Sequence, residues 1–115
     1  MLLVVSLFTV KNRKAREFFI HSLRRGGSWQ NTALRVAPQL INLETFEHLG
    51  ECGDSLCLCL DLWKSTEAYF CASHSAEVQS LLLARRQLAD SAFELGAFTF
   101  ATSSETEETT AACLN

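Results

Sequence analysis

Leu56-Cys57-Leu58-Cys59-Leu60-Asp61-Leu62-Trp63-Lys64-Ser65-Thr66-Glu67-Ala68 is the stretch that decides how this chain folds. Its first eight residues alternate strictly. Leu56, Leu58, Leu60 and Leu62 fall on one face, and Cys57, Cys59, Asp61 and Trp63 fall on the other. A period of two held this long is a β-strand, apolar on one side and mixed on the other. Ser65 then offers a hydroxyl as a helix N-cap, and Glu67 places a carboxylate in the first turn, where the helix dipole favours it. A strand therefore runs straight into a capped helix.

The flanking segments arrange themselves around that junction. Leu2 to Val10 is rich in Leu, Val and Phe and ends at Lys11-Asn12, which predicts a buried strand. From Arg13 to Arg25, Ala15, Phe18, Phe19, Ser22 and Leu23 share one side of a helix, while Arg13, Arg16, Glu17 and Arg24 share the other. Asn12 serves as its N-cap, and Gly26-Gly27 closes it. Residues 28 to 38 read as a connection, and Gln39 to His48 as a second strand bounded by Pro38 and Gly50. Residues 51 to 55 form a turn into the quoted strand. Beyond the junction, a short helix covers Ala68 to Ser73, and Ser75 with Glu77 starts another. Val78, Leu81, Leu82, Leu88, Ala89 and Ala92 make its apolar stripe, Gly96 ends it, and Ala97 to Ala101 forms a last strand. Residues 102 to 115 are a Ser/Thr/Glu-rich segment with the composition of a mobile tail, so a domain over 1–101 is expected.

The order β-α-β-β-α-β is that of the ferredoxin-like α+β fold, a four-stranded antiparallel sheet with helices on a single face. Cys57, Cys59, Ile41, Leu43 and Thr45 are assigned to the other face, which is then too apolar to be left in water. A homodimer through the helix-free sheet face is the expected consequence, with Cys59 at the contact.

Composition narrows the function classes. The chain has 115 residues, 48% of them hydrophobic and 20% charged, so it is an ordinary globular domain, too short for a multidomain enzyme. Seven basic residues and one acidic residue lie within 1–40, against three and twelve within 41–115, for a net charge of −3. A basic first helix could touch nucleic acid, but Phe18 and Phe19 are placed on its buried side. Gly26-Gly27 follows a helix instead of opening one, so it is no phosphate loop. Nucleic acid is therefore not expected as a partner. Membrane insertion is not expected either, since no stretch reaches ~20 apolar residues. The basic cluster Lys11-Asn12-Arg13-Lys14 follows the apolar start instead of preceding it, which does not fit a signal peptide.

Five cysteines, Cys52, Cys57, Cys59, Cys71 and Cys113, form no disulfide framework. Cys57 and Cys59 are two apart and His21, His48 and His74 are scattered, which does not suit zinc. Buried reduced thiols in a cytoplasmic protein are the reading adopted, with a redox role for the C-x-C pair as its alternative.

Trp63-Lys64-Ser65-Thr66-Glu67-Ala68-Tyr69 resembles the W-[EK]-S-x-E-A-[FYL] junction of antibiotic-biosynthesis-monooxygenase-like proteins, and the broken helix, leucine stripe and Gly96-Ala97-Phe98 continue the similarity over residues 2 to 100. The resemblance implies a dimeric α/β barrel, with a cavity between sheet and helices in each subunit. It also implies either cofactor-independent oxygenation or, in some members, haem degradation. The haem-degrading members carry an Asn in the first strand, and a Trp and a His on the second helix region. Here the first strand has no Asn and the other two positions are Ala72 and Leu82, so haem degradation is rejected and no cofactor is expected.

Two function classes follow. One is a small cofactor-independent monooxygenase acting on an aromatic, quinol-type or polyketide-like molecule. The other is a non-catalytic dimeric module that binds a small apolar ligand or serves a structural role. Phe8, Phe19, Trp63 and Tyr69 are the expected pocket-lining residues. Asp61 and His74 are the candidate acid–base groups, with His48 a further polar candidate. Each has a structural alternative: a rim ion pair with an arginine for Asp61, an exposed cap for His74, a turn residue for His48, and a packing wedge for Trp63. An open cavity with two or more convergent polar groups favours the enzyme. Space filled by Phe8, Phe19, Leu81 and Leu82 favours the module.

Overall fold

In the computed structural model, which describes residues 1–48 and 56–99, every strand is antiparallel to its neighbours, in the order β2-β3-β1-β4. The elements are β1 (Leu2–Thr9), α1 (Arg13–Leu23), α2 (Ser28–Val36), β2 (Leu40–Glu47), β3 (Leu56–Trp63), α3 (Thr66–Ser73), α4 (Ala76–Gln87) and β4 (Ser91–Thr99). This is the ferredoxin-like α+β fold expected from the sequence. The predicted turn at 51–55 and the tail at 102–115 lie outside the described residues, as do Cys52 and Cys113.

Local chemistry accounts for the helix starts. The Asn12 side chain accepts a hydrogen bond from the Ala15 amide at 3.0 Å, and the Ser65 hydroxyl accepts one from Ala68 at 3.0 Å. Each satisfies an amide that the first helical turn leaves unpaired. Ser75 precedes α4 but makes no such side-chain bond.

Residues 28–36 are a helix, not a connection. Trp29, Ala33 and Val36 fall at i, i+4 and i+7, and Trp29 and Ala33 are buried. Its start is cramped: a side chain on Gly27 would run into the backbone carbonyls of His21 and Ser22. Gly26 turns the chain there with φ of 85°. The Trp29 indole donates to the Leu81 carbonyl at 2.9 Å, and the Gln30 amide donates to Leu43 at 3.1 Å, tying α2 to α4 and to β2.

The last strand is also longer than its sequence pattern. It starts at Ser91 and not at Ala97, because the Asp90 amide donates to Thr9 at 2.8 Å and its carboxylate accepts from the Lys11 amide at 2.7 Å. Gly96 therefore does not end α4, which stops at Gln87; it sits in β4 beside a bulge. Val5 pairs with Gly96 while Ser6 pairs with Glu94, so Leu95 is the extra residue.

The assignment of sheet faces requires the largest correction. Cys57, Cys59, Asp61 and Trp63 lie opposite Phe8, Ser6, Val4 and Leu2 of β1, and all eight are buried beneath the helices. Leu43 is buried and Thr45 half-buried on that side, with the Thr45 hydroxyl 3.8 Å from the Cys59 sulfur. Leu56, Leu58, Leu60 and Leu62 instead take the helix-free face, half-buried, and Ile41 is exposed. Cys59 is thus a core residue. The alternation misleads because the leucines look like the core set, whereas the cysteines act here as small hydrophobes and Asp61 has a buried partner. A second correction concerns α1: Phe19 is fully buried against Phe8, ring centroids 5.3 Å apart, but Phe18 is 60% exposed, so its burial is no argument against a nucleic-acid partner.

Cys59→Asp is accordingly expected to break the core and not to split a dimer of intact subunits. An uncompensated buried charge costs ~3–5 kcal/mol, and urea denaturation of the soluble fraction should show a loss of that order.

Candidate active site

The inner face of β3 delivers Asp61 and Trp63 to the space beneath α3 and α4, where the alternation read in the sequence becomes a site. Asp61 is 3% exposed and receives both terminal nitrogens of Arg85, at 2.9 and 2.8 Å. Arg85 projects from α4, is 5% exposed, and lies over two aromatic rings: its guanidinium carbon is 5.1 Å from the centroid of Phe8 and 4.7 Å from that of Trp29. Two-toothed pairing and ring stacking are what a planar guanidinium does better than an ammonium. Burial works to lower the Arg85 pKa, but the charge and hydrogen bonds of Asp61 outweigh it, and the net direction is upward. The ion pair sits in the core, not at a rim.

Beside it is a cavity of about 230 Å³. Val4, Ser6 and Phe8 form its β1 wall and Asp61 and Trp63 its β3 wall. Tyr69 of α3, Leu82, Arg85 and Arg86 of α4, and Ala92 to Glu94 of β4 complete it. Trp63 packs edge-on against Tyr69 with centroids 5.2 Å apart. Burial first, and then the negative charges of Glu94 and Asp61, raise the Tyr69 pKa, so its phenol stays protonated and can donate. Two of these lining residues also carry a buried donor with no acceptor in the protein: the indole Nε1 of Trp63 and the Nε of Arg85.

The expected site residues are only partly brought together. Phe8, Trp63, Tyr69 and Asp61 line this cavity; Phe19 does not, being packed behind Phe8. His74 is exposed, caps the end of α3, has its Nδ1 2.8 Å from the Phe70 carbonyl and stacks on the Phe70 ring. His48 borders a separate apolar hollow of about 380 Å³ on the helix-free face, with Leu7, Phe46 and Leu58. Sequence patterning misses Arg85, Arg86, Ser6 and Glu94. Arg85 does leave a signal, an arginine three and four residues after Leu82 and Leu81, on the apolar stripe.

Besides Cys57, whose pKa burial also raises, the titratable core group on this side is Cys59. Burial is the main force raising its thiol, to about 11, with Arg85 pulling the other way. Such a thiol is protonated near neutral pH and a poor nucleophile. Among the described residues, no cluster of three His, Cys, Asp or Glu side chains is placed to hold a metal.

Known structures share this architecture. A mutant form of SnoaB from Streptomyces nogalater, a cofactor-independent oxygenase, superposes with a TM-score of 0.61 at 17% identity, covering 90% of this chain and 95% of that one. A putative antibiotic biosynthesis monooxygenase from Bacillus cereus has the same fold, with a TM-score of 0.60 at 18% identity over 89% of this chain and 94% of its own. A hydroxynitrile lyase from Passiflora edulis shares it too, with a TM-score of 0.61 at 11% identity over 89% of this chain and 96% of its own. So does a protein from Bacteroides fragilis described as dimeric and ferredoxin-like, with a TM-score of 0.60 at 7% identity over 86% and 95%. No family profile and no curated protein matches the chain by sequence. An oxygenase and a lyase on one scaffold show that chemistry is set by the site and not by the fold.

Asp61→Asn should leave Arg85 charged, buried and half-paired, at a cost of ~3–5 kcal/mol. Replacing both partners, Asp61→Leu with Arg85→Met, should recover most of that loss. Urea titration of the three proteins checks both statements, and a double variant no better than Asp61→Asn would contradict them.

Proposed function

We propose that this protein is a small cofactor-independent monooxygenase acting on an aromatic phenol or quinol. One observation carries the reading: an open cavity between sheet and helices is lined by aromatic, aliphatic and charged side chains, and two of those residues, Trp63 and Arg85, each carry a buried N–H without an acceptor. An unpaired buried donor costs ~1–3 kcal/mol, a penalty that a ligand oxygen relieves. Trp63 and Arg85 are therefore suited to holding a phenolate or carbonyl oxygen, with negative charge that builds up during oxidation stabilised by preorganised donors. Tyr69 adds a third donor. Asp61 is occupied by Arg85; it orients that residue and is not the base.

The chemistry needs no external reductant. A phenol supplies the electrons, one atom of dioxygen enters the ring, the other leaves as water, and the product is a quinone. At about 230 Å³ the cavity is smaller than the ~300–1,000 Å³ typical of drug-sized ligands. A molecule of one or two fused rings fits that space better than a large polyketide.

The assembly we propose is a homodimer built through the helix-free face, in a reduced, cytoplasmic setting that suits the free thiols Cys57 and Cys59. That face carries the half-buried rows Leu58, Leu60 and Leu62 of β3 and Leu3, Val5 and Leu7 of β1, and beyond them on β4 Phe93 and Phe98, which are 65% and 53% exposed. Exposed apolar side chains gathered on one face mark a contact surface, and the Bacteroides fragilis relative in fold is described as dimeric. No described helix is long and apolar enough to cross a membrane.

The activity is tested with air-saturated protein and one- and two-ring phenols, without flavin, metal or reductant, by oxygen uptake and quinone absorbance. Trp63→Phe keeps an aromatic ring and deletes the unpaired donor; it should fold while losing roughly 10²-fold in turnover. Wild-type protein that binds these phenols without oxidising them would favour the binding module.

Leu60→Glu places a charge on the proposed dimer face and spares the core. It should sediment as a 12.8 kDa particle, where the wild type runs at twice that mass. A wild type that is monomeric at micromolar concentration would defeat the assembly.

A further inference from the structure

We propose that Glu94 is the proton acceptor for the hydroxyl group of the ring bound in this cavity, a role that rests on the monooxygenase reading above. The chemistry requires a base, and the cavity walls offer few. Asp61 is committed to Arg85 through both oxygens, and the Tyr69 phenol, held protonated chiefly by burial, is a donor. The histidines are elsewhere: His74 caps α3 on the outside and His48 borders the opposite face. Glu94 lines the cavity, and among the described residues it has no cation within ion-pairing distance.

Its position follows from the bulge in β4. Alternation along the strand breaks at Leu95, the residue left without a partner, so Glu94 pairs with Ser6 on the helix side while Gly96 pairs with Val5 on the open side. Without the extra residue, a strand running back from Gly96 would set Glu94 on the open face. The groups that share its surroundings are Tyr69 from α3, Arg85 and Arg86 from α4, and Asp61 from β3. Glu94 is one of the charges acting on Tyr69, which places the two side chains in one electrostatic neighbourhood. Because Glu94 is exposed and Trp63 and Arg85 are buried, the carboxylate stands at the mouth and those two residues lie deeper along the lining.

In the reaction, the hydroxyl proton passes to Glu94, and the phenolate is stabilised by the N–H groups of Trp63 and Arg85. Dioxygen adds to the ring carbon para to that oxygen. The O–O bond then breaks as this carbon loses its hydrogen, and the outer oxygen leaves as water with two protons, one from the carbon and one returned by Glu94. The ring is oxidised to a quinone, dioxygen is reduced, and the carboxylate is regenerated.

The test uses 1-naphthol as probe, with binding followed under nitrogen by its own fluorescence and oxygen uptake followed in air. In wild type, affinity should fall as the pH is lowered and the carboxylate is protonated. In Glu94→Gln, binding should be about tenfold weaker and indifferent to pH over the same range. Turnover should drop by roughly 10²–10⁴-fold, with the acidic limb of the pH profile gone and the melting temperature unchanged. Glu94→Asp should restore the pH dependence. Glu94→Gln with wild-type affinity, pH profile and turnover overturns the role of Glu94 and leaves the monooxygenase reading intact. Binding whose pH dependence is lost in Glu94→Gln, without oxygen uptake by wild type, upholds Glu94 as acceptor and overturns the monooxygenase. A wild type that does not bind 1-naphthol overturns both.

Discussion

A buried carboxylate cannot stay charged in an apolar core without a partner, and the pairing of Asp61 with Arg85 is the constraint on which the rest of this structure depends. Asp61 occupies an inward position of β3, which fixes which face of the sheet the helices cover. Arg85 reaches it only if α4 lies across the sheet with that side chain pointing down, and the guanidinium is desolvated only if Phe8 and Trp29 enclose it. The need for Trp29 explains why residues 28–36 form a helix packed on α4 and not a loose connection. Replacing such a pair by hydrocarbon is often neutral or stabilising in other proteins, so fold stability alone does not account for an ion pair placed here. It borders the cavity, and one guanidinium nitrogen stays unspent after Asp61 has been served.

The sheet has two apolar faces with different chemistry. Beneath the helices, the small Cys57 and Cys59 are followed by Asp61 and Trp63, a mixed set that leaves open volume and polar groups in one place. On the other face the leucines of β3 form a uniform, half-buried row that Leu3, Val5 and Leu7 of β1 continue toward the exposed phenylalanines of β4. A uniform row suits contact with another apolar surface, and a mixed set suits a small molecule. The bulge at Leu95 lets β4 serve both, sending Glu94 inward and leaving Phe93 and Phe98 on the open side.

The sequence by itself determined the element types near the junction, because local rules govern them. Strict alternation made β3, the Ser65 hydroxyl capped α3, Asn12 capped α1, and their order implied the ferredoxin-like sheet. Trp63 and Tyr69, neighbours across that junction, were legible as pocket candidates for the same reason. The helix at 28–36 was also within reach, since Trp29, Ala33 and Val36 keep helical spacing, but a lack of strong capping residues hid it.

Tertiary structure alone decided which face of β3 is inside. Alternation separates two sets of residues but carries no sign, and the sign here comes from Arg85, 24 residues away. The same holds for β4, where the direction of Glu94 depends on one unpaired residue whose effect appears only when β1 is laid alongside. The cavity is the volume left between elements far apart in the chain, so its lining was legible where a junction residue carried it and hidden where pairing across the sheet did.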